Sequence, residues 1–358
     1  YLMMKDPETG LFWYELTGLN AGQKYVFQYF IDGEIRVGDP YADEVADADN
    51  DQFIPETVHP DIAPYNQPYG PASVLQPGQE SFDWADSEQS WSPPAKEDLI
   101  IYELLLRDFL GTHSYDDLID TLSYIKRLGV NAIELMPIME FEGNSSWGYN
   151  PSHFFAVDKY YGTKSDFKRF VQAAHAEGIA VIMDMVLNHA FGQSPMVRMY
   201  FEDGAPSNEN PWFNRTARHP FNVGYDFNHE SPYTQDFVDS VNNYWLTEYH
   251  VDGYRFDLSK GFTQVNSGND VGAWTAYDAS RIAILKRMAG EIWDDHPGAY
   301  VILEHFGNSG EEAELAAEGM MPWRNLHGEA IASLTGTGGN LGNAQSLTHV
   351  SYMESHDE

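Results

Sequence analysis

Three acidic residues, Asp257, Glu304 and Asp357, each stand at or just after the end of a short run rich in Val, Ile, Leu and Tyr. A short, β-branched apolar run predicts a strand that is buried on both faces. In a (β/α) barrel, side chains at the carboxyl ends of the parallel strands meet at one mouth, where such folds keep their active sites. The sequence therefore predicts three converging carboxylates and an enzyme.

The surroundings of two of these carboxylates suit the cleavage of a glycosidic bond. That reaction needs one protonated carboxyl beside the leaving oxygen and one carboxylate facing the anomeric carbon. Arg255 lies two residues before Asp257, so both point to the same side of a strand, and the guanidinium is expected to keep Asp257 ionised. Glu304 follows an apolar run, which is expected to raise its pKa. Ordinary strand-end carboxylates paired with cations are the alternative, but the repetition at three strand ends favours catalysis.

Polar and aromatic residues near the same strand ends are candidate sugar ligands. His189 and His356 could hydrogen-bond sugar hydroxyls as neutral imidazoles. Trp147 and Tyr149 stand in a loop after the second predicted strand, where an aromatic face could stack on a pyranose ring; a loop that only packs explains them equally well. The sequence has no His-x-x-x-His pattern and no cysteine, so spacing predicts no metal ligands.

Length and charge narrow the class of protein. The 358 residues suffice for a barrel with an appended module, and 42% hydrophobic residues supply a substantial core. Asp and Glu number 55 against 20 Lys and Arg, a formal charge of −35 that would repel nucleic acid. The surplus is typical of a halophilic, salt-screened acidic surface, although an ordinary acidic secreted enzyme explains it equally well.

The sequence also bears on where the protein works. It has no run of about 18 apolar residues, so no membrane span is expected. It has neither an initiator Met nor a charged-then-apolar leader, so any signal peptide is expected to be removed or to lie outside this sequence. An extracellular or periplasmic location is favoured over a cytoplasmic one, and nothing indicates the oligomeric state.

Turn-forming residues divide the chain into three parts. Residues 1–62, with turns such as Asp32-Gly33, predict a partial, Ig-like, carbohydrate-binding-like β-sandwich. Residues 63–98, rich in Pro, Gly, Gln and Ser, predict a linker. Residues 99–358 alternate strands and helices, which predicts an α/β fold, a TIM (β/α)8 barrel. About seven strands are present, so the barrel is expected to be incomplete, and a B-type loop domain is inserted at about 190–233.

Hydrophobic periodicity and stop signals locate the elements of this barrel. Gly129 and Gly178 are expected to end the first two helices, and Ser165 to cap the second. The predicted strands are 99–104, 131–136, 180–187, 253–258, 300–305, 321–326 and 348–353, and the predicted helices include 115–128, 165–177 and 235–249. No eighth strand follows, which indicates a truncated barrel or a fragment of a longer protein.

Four segments, at 181–189, 251–257, 300–305 and 349–357, resemble the four ordered sequence regions of the α-amylase family (glycoside hydrolase family 13). The resemblance covers about residues 99–358 and implies a retaining enzyme that acts on α-glucans and requires no cofactor. It implies three catalytic roles: nucleophile for Asp257, general acid/base for Glu304 and transition-state stabiliser for Asp357. It also implies sugar-binding residues at the cleavage point, namely Tyr149, His189 and His356.

The same resemblance predicts a geometry. Arg255 would orient Asp257 and be held by Asp184, so hydrogen-bond distances between Arg255 and these carboxylates are expected. The Asp257 and Glu304 carboxyls should lie within roughly 5–6 Å, since retention needs a separation of roughly 5–5.5 Å. Tyr149 should line the same pocket.

Two departures from the family pattern leave the specificity open. Gly261 follows Lys260 where many α-amylases have His, and His305 follows Glu304 where many members have an apolar or aromatic residue. The first hypothesis is α-amylase-like α-1,4 hydrolysis of starch or glycogen; pullulanase-like α-1,6 debranching and glucan-branching transglycosylation are alternatives. A non-catalytic glucan-binding barrel is a further alternative, but such relatives typically lose one of the three carboxylates.

The resemblance also suggests one metal ion, calcium. Asn188 matches a calcium-ligand position of many α-amylases, and Asp226 is a candidate second ligand. Calcium takes about six to eight oxygen ligands, and the sequence does not locate the others.

Overall fold

The computed structural model describes residues 1–343 and 348–358, and at its centre lies a sheet of seven parallel strands. Each strand pairs with the next one along the chain, as parallel strands joined by crossover helices do. The strands are β1 (Ile101–Leu104), β2 (Ala132–Leu135), β3 (Ala180–Met185), β4 (Gly253–Phe256), β5 (Tyr300–Leu303), β6 (Met321–Asn325) and β7 (Val350–Tyr352). Within the described residues β1 and β7 are not paired, so the predicted incomplete barrel is confirmed.

A helix follows each of the first six strands. These are α1 (Tyr115–Arg127), α2 (Lys164–Ala176), α3 (Pro232–Tyr249), α4 (Ala279–Asp295), α5 (Ser309–Glu318) and α6 (His327–Leu334). Gly129 and Gly178 follow α1 and α2 with φ of 84° and 75°, so they end these helices as predicted. The predicted cap of α2 at Ser165 is wrong: Thr163 is the N-cap, and its side chain and Asp166 form a reciprocal capping box.

The core lies on both sides of this sheet. Inside the barrel, small and branched residues such as Ala132, Ala180 and Ile302 are fully buried. Outside it, the helices bury one face each; α1, for example, buries Leu118, Leu122 and Ile125 at helical spacing. Strands buried on both faces consist of continuous apolar runs, and these runs are the reason that the strands could be predicted from the sequence.

The N-terminal region is β-rich, as predicted. Its strands are Met4–Lys5, Phe12–Trp13, Tyr25–Phe27, Tyr29–Ile31, Ile35–Val37, Val45–Ala46 and Ala72–Leu75. The predicted hairpin at Asp32-Gly33 is confirmed: Tyr29–Ile31 and Ile35–Val37 pair antiparallel. Asp32 and Gly33 between them both have positive φ, 53° and 75°, as the central residues of a type I′ turn do. The strand Ala72–Leu75 falls inside the predicted 63–98 linker, where it is the middle strand of a three-stranded sheet.

Charged and aromatic contacts join this N-terminal region to the barrel. Lys164 at the start of α2 pairs with Asp43 at 2.6 Å, and Lys159 lies 3.3 Å from Asp51. The Tyr41 ring packs against Phe155 at 5.0 Å between centroids. The two parts therefore share a packed boundary.

A long excursion separates β3 from α3, as predicted. It contains the strands His189–Ala190, Phe201–Glu202, Ala205–Pro206 and Tyr225–Asp226 and the helix Pro195–Met199. The other strands are Met139–Phe141 and Pro151–Val157, and the other short α-helices are Leu106–Phe109 and Val271–Thr275. The 3₁₀ helices are Asp51–Phe53, Asp86–Ser90, Lys96–Asp98, Lys159–Tyr161, Ser259–Gly261 and Leu341–Asn343. Among the described residues, no helix is both long and apolar enough for a membrane span.

Candidate active site

The carboxyl ends of β3, β4 and β5 place three carboxylates around one arginine. Asp184 on β3 is the register partner of Arg255 on β4, so the two side chains lie at the same level. Asp257 directly follows β4, and Glu304 directly follows β5. The short strand-to-loop transitions thus bring the residues together at one edge of the sheet, as barrel geometry requires.

Arg255 is fully buried and contacts all three carboxylates. One terminal nitrogen, Nη1, donates to Asp184 at 2.8 Å and to Asp257 at 3.0 Å, and the other, Nη2, forms an ion pair with Glu304 at 3.1 Å. The predicted hydrogen bonds of Arg255 are therefore confirmed. Trp323 from β6 covers the guanidinium, with the ring centroid 4.2 Å away.

Asp257 is fixed on its second oxygen as well. The Asn188 amide donates to Asp257 Oδ2 at 2.7 Å and to its backbone carbonyl at 3.0 Å. Its Oδ1 accepts from Arg255. Two opposing donors leave the carboxylate little freedom to rotate, which suits a group that must attack a carbon at a defined position.

Glu304 has the electrostatics of a proton donor. Burial raises its pKa to about 7, with the nearby Asp257 charge acting in the same direction and Arg255 against it. The Leu258 backbone N–H donates to Glu304 Oε2 at 2.7 Å. The expected pKa elevation is thus confirmed, and its main cause is desolvation. The Asp184 carboxyl is shifted by the same cause, to a pKa of about 6.

Tyr149 lines this cluster from the loop after β2. Its hydroxyl donates to Asp184 Oδ2 at 2.6 Å, and its backbone carbonyl lies 2.8 Å from His189 Nε2. Gly148 makes the approach possible: φ is 93°, and a Cβ there would lie 2.3 Å from the Pro137 carbonyl oxygen. Tyr149 and His189 are therefore both brought to the site, as predicted.

His356, in the loop after β7, stacks on Tyr149 with 5.1 Å between ring centroids. Glu103 on β1 holds it: the His356 backbone N–H donates to Oε2 at 2.8 Å, and Nδ1 lies 2.6 Å from Oε1. Burial alone would lower the pKa of His356, but the Glu103 hydrogen bond and the charge of Asp184 raise it to about 9. The neutral imidazole expected from the sequence is wrong for neutral pH, because Glu103 stabilises the imidazolium.

Asp357 lies beside the cluster rather than in it. Its carboxylate is 3.6 Å from His356 Nε2, and 58% of its side chain is exposed. Across residues 1–343 and 348–358 it forms no hydrogen bond or ion pair with Arg255, Asp257 or Glu304. The catalytic role of Asp357 stays a prediction.

Two functional candidates were missed in the sequence. Glu103 occupies the middle of an apolar run on β1, and its register partner Glu134 lies on β2. Glu134 is 2% exposed, its Oε1 has no hydrogen-bond partner, and burial raises its pKa to about 8. A glutamate inside an otherwise apolar barrel strand is the signal that could have singled out both.

Both candidate calcium ligands, Asn188 and Asp226, contact other protein side chains in this structure. Asn188 Oδ1 lies 2.5 Å from His189 Nδ1, and the Asn188 amide nitrogen donates a hydrogen bond to Asp257. Asp226 Oδ2 accepts from Asn214 at 2.8 Å, and its Oδ1 faces His219 at 3.5 Å. In the described part of the chain, no group of three or more His, Cys, Asp or Glu residues could hold a metal ion. Calcium binding stays a prediction.

The sequence is similar to a known protein family and to several known proteins. The family described as alpha amylase, catalytic domain, matches residues 111–316, a range that contains Asp184, Arg255, Asp257 and Glu304. A malto-oligosyltrehalose trehalohydrolase of Saccharolobus solfataricus is 32% identical over 256 residues, which are 71% of this chain and 39% of that protein. A 1,4-alpha-glucan branching enzyme of Kitasatospora aureofaciens is 29% identical over 301 residues, 80% of this chain and 38% of that protein. The chain thus spans about two fifths of the length of these relatives.

Solved structures share the fold. A pullulanase of an Anoxybacillus species, in complex with maltotetraose, superimposes with a TM-score of 0.65 at 21% identity, covering 99% of this chain and 56% of that one. A type I pullulanase of Bacillus subtilis, in complex with maltose, gives a TM-score of 0.63 at 22% identity, covering 90% of this chain and 45% of that one.

Proposed function

This chain belongs to the α-amylase catalytic-domain family, and from that premise we propose that the protein is a retaining glycoside hydrolase acting on starch- or glycogen-type α-glucans. One observation supports this most: a single buried guanidinium contacts Asp184, Asp257 and Glu304 at the ends of three adjacent strands. A structural ion pair needs one carboxylate. Three carboxylates around one cation leave surplus negative charge, and burial together with the Asp257 charge raises the pKa of one member, Glu304.

In the proposed reaction the two carboxyls have different roles. Asp257 attacks the anomeric carbon while Glu304 donates its proton to the departing glycosidic oxygen, which gives a covalent glycosyl-enzyme. Glu304, now ionised, then takes a proton from water, which displaces Asp257 and releases the sugar. Arg255 and Asn188 hold Asp257 in line throughout. Asp357, one residue beyond His356, would stabilise the oxocarbenium-like transition state.

We assign sugar binding to the side chains around Asp257 and Glu304. Tyr149 and His356 form a stacked wall beside Asp184, and Trp147 is 45% exposed next to them. Exposed aromatic faces suit the apolar face of a pyranose. The imidazolium of His356 would donate to a sugar hydroxyl through Nε2, since Nδ1 is held by Glu103.

We propose α-1,4 hydrolysis as the main activity, with α-1,6 debranching and branching-type transfer as alternatives. The position that is His in many α-amylases is Gly261 here, and a Cβ there would lie 2.9 Å from His219 Nε2. His219 therefore takes up space beside this loop that a side chain at 261 would need. With Gly261 in place of His, the side of the site that would bind the leaving group has a different polar surface from that of many α-amylases. The catalytic residues alone therefore do not determine whether an α-1,4 or an α-1,6 bond is cleaved.

The direct test is to incubate the purified full-length protein with amylose, pullulan and glycogen and to measure new reducing ends. Hydrolysis of amylose supports α-1,4 activity, release of maltotriose from pullulan indicates debranching, and a change in branching without reducing ends indicates transfer. Asp257→Asn should reduce turnover by roughly 10⁴-fold or more with an unchanged melting temperature. Asp294→Asn, on an exposed helix face, is the matched control. Wild-type protein with no activity on any of the three glucans would refute the proposal.

A further inference from the structure

A buried polar network lies directly behind Glu304, and the chemistry described above does not use it. Its members are Ser259, Arg281, His305 and Glu311, and each side chain is at most 1% exposed. Buried charged and polar groups destabilise a fold unless they are paired, so four of them in contact need an explanation.

The contacts run in one chain. Ser259 Oγ lies 3.0 Å from His305 Nδ1, and His305 Nε2 lies 2.8 Å from Glu311 Oε1. Arg281 then holds Glu311 through two hydrogen bonds, Nε to Oε1 at 2.6 Å and Nη2 to Oε2 at 2.8 Å. The bidentate pair fixes the far end of the chain rigidly.

The proton positions follow from the partners. A carboxylate only accepts, so His305 Nε2 must carry a proton toward Glu311. Burial lowers the pKa of His305, which favours the neutral ring with Nδ1 as an acceptor. The Ser259 hydroxyl then has two acceptors, His305 Nδ1 at 3.0 Å and the Glu304 backbone carbonyl at 2.9 Å. The serine side chain is thereby fixed, and with it the backbone of residue 259.

That backbone holds Glu304 at two points. The Ser259 N–H donates to the Glu304 carbonyl at 3.0 Å, and the preceding N–H, of Leu258, donates to the Glu304 side chain at 2.7 Å. Leu258 has φ of 44°, a left-handed conformation that is unfavourable for a residue with a Cβ. Such a conformation persists only where its surroundings enforce it.

Resting on the proposed function, we propose that Ser259, His305 and Glu311 are positioning residues that hold the Glu304 carboxyl in the geometry for protonating the leaving oxygen. Both departures from the family pattern lie at this network. His305 is its central member, and Arg281 also donates to the carbonyl of Lys260, next to Gly261, at 3.2 Å. The network thus ties the loop after the nucleophile strand to the loop after the acid/base strand.

The test separates proton donation from folding by changing the leaving group. Cleavage of maltohexaose needs a proton on the departing oxygen, whereas fluoride leaves α-maltosyl fluoride with little protonation. In Ser259→Ala we expect kcat for maltohexaose to fall about tenfold, with KM within about twofold, because general-acid assistance is worth roughly 10²–10⁴-fold in total. For the fluoride, kcat/KM reports the first displacement and not the later step in which Glu304 acts as base, so it should fall less than about twofold.

Two further variants complete the design. Ser231→Ala removes another buried hydroxyl, bonded to the Pro211 carbonyl at the start of α3, and should leave both substrates unaffected. Ser259→Cys keeps a side chain of similar volume with a weaker hydrogen-bond donor, so its loss of activity on maltohexaose should be intermediate. This variant replaces Ser259→Ala in the test if Ser259→Ala does not fold. Equal losses on both substrates, or none, would overturn the positioning role while leaving the function intact. Wild-type protein inactive on both would instead refute the proposed function.

Discussion

Glu103 on β1 forms two hydrogen bonds with His356, in the loop after β7, although β1 and β7 are not themselves paired in the described part of the chain. The carboxylate bridges the backbone N–H and the ring Nδ1 of the same residue. The contact therefore fixes both the position of the loop and the charge of the imidazole. Since Tyr149 stacks on that ring, β1 supports the wall to which sugar binding is proposed.

Glu103→Gln should lower the pKa of His356 from about 9 toward its ordinary value of 6.5. The wild-type pair stabilises the fold fully below about pH 6.5 and loses that contribution as the pH rises through about 9, because the proton is held more tightly in the folded state. The variant should lose this pH dependence. NMR titration of the His356 ring measures the shift, with the exposed Glu354→Gln as control. An unchanged titration would show that Glu103 does not set the charge.

The pH dependence of kcat/KM should report Glu304. The general acid must be protonated in the free enzyme, so kcat/KM on an α-glucan should fall as the pH rises through about 7. With α-maltosyl fluoride this alkaline decline should be much weaker, because fluoride needs little protonation to leave. A glucan profile that stays flat to pH 9 would contradict the assignment of Glu304 as the acid.

Glu134→Gln should stabilise the protein at neutral and alkaline pH. Burial raises the folded-state pKa of Glu134 from 4.5 to about 8, so wild-type stability falls as the pH rises from 4.5 to 8. The gain in unfolding free energy should therefore grow across that range and reach about 5 kcal/mol, at 1.36 kcal/mol for each pKa unit. Denaturant titrations at several pH values measure it, with the exposed Glu291→Gln as control. A gain that does not change with pH would exclude this cause.

The net charge of −35 predicts a salt requirement. Screening shortens the reach of like-charge repulsion from about 10 Å at 0.1 M to about 3 Å at 1 M salt. The melting temperature should therefore rise from dilute buffer to molar potassium chloride. A flat or falling curve would indicate an ordinary acidic enzyme instead.

Local patterns were sufficient to predict most of the barrel. Strands β1 to β7 lie within the predicted ranges because apolar runs buried on both faces are continuous in sequence. The N-terminal strand Ala72–Leu75 was missed because Pro, Gly and Gln around it favour a loop, whereas its partners at Tyr25–Phe27 and Val45–Ala46 are distant in sequence. Pairing across such distances overrides local propensity.

The site residues that lie at the carboxyl ends of strands could be predicted from the sequence. Arg255, Asp257 and Glu304 meet because strand register fixes their level, which alternation and motif order anticipate. Glu103 and the network behind Glu304 were not predictable, since their roles depend on which loops pack against them. His305 and Glu311 are six residues apart, yet only the turn into α5 brings their side chains within hydrogen-bond distance.

The central claim is that Asp257 attacks the sugar and Glu304 serves as acid and then base. Retention of configuration is its direct consequence, because two successive displacements restore the starting anomer. Following the anomeric protons by NMR during the first minutes of maltohexaose cleavage measures this before mutarotation obscures it. The account predicts α-anomeric reducing ends in the first products, and it predicts none from Asp257→Asn. Initial release of the β-anomer would contradict it.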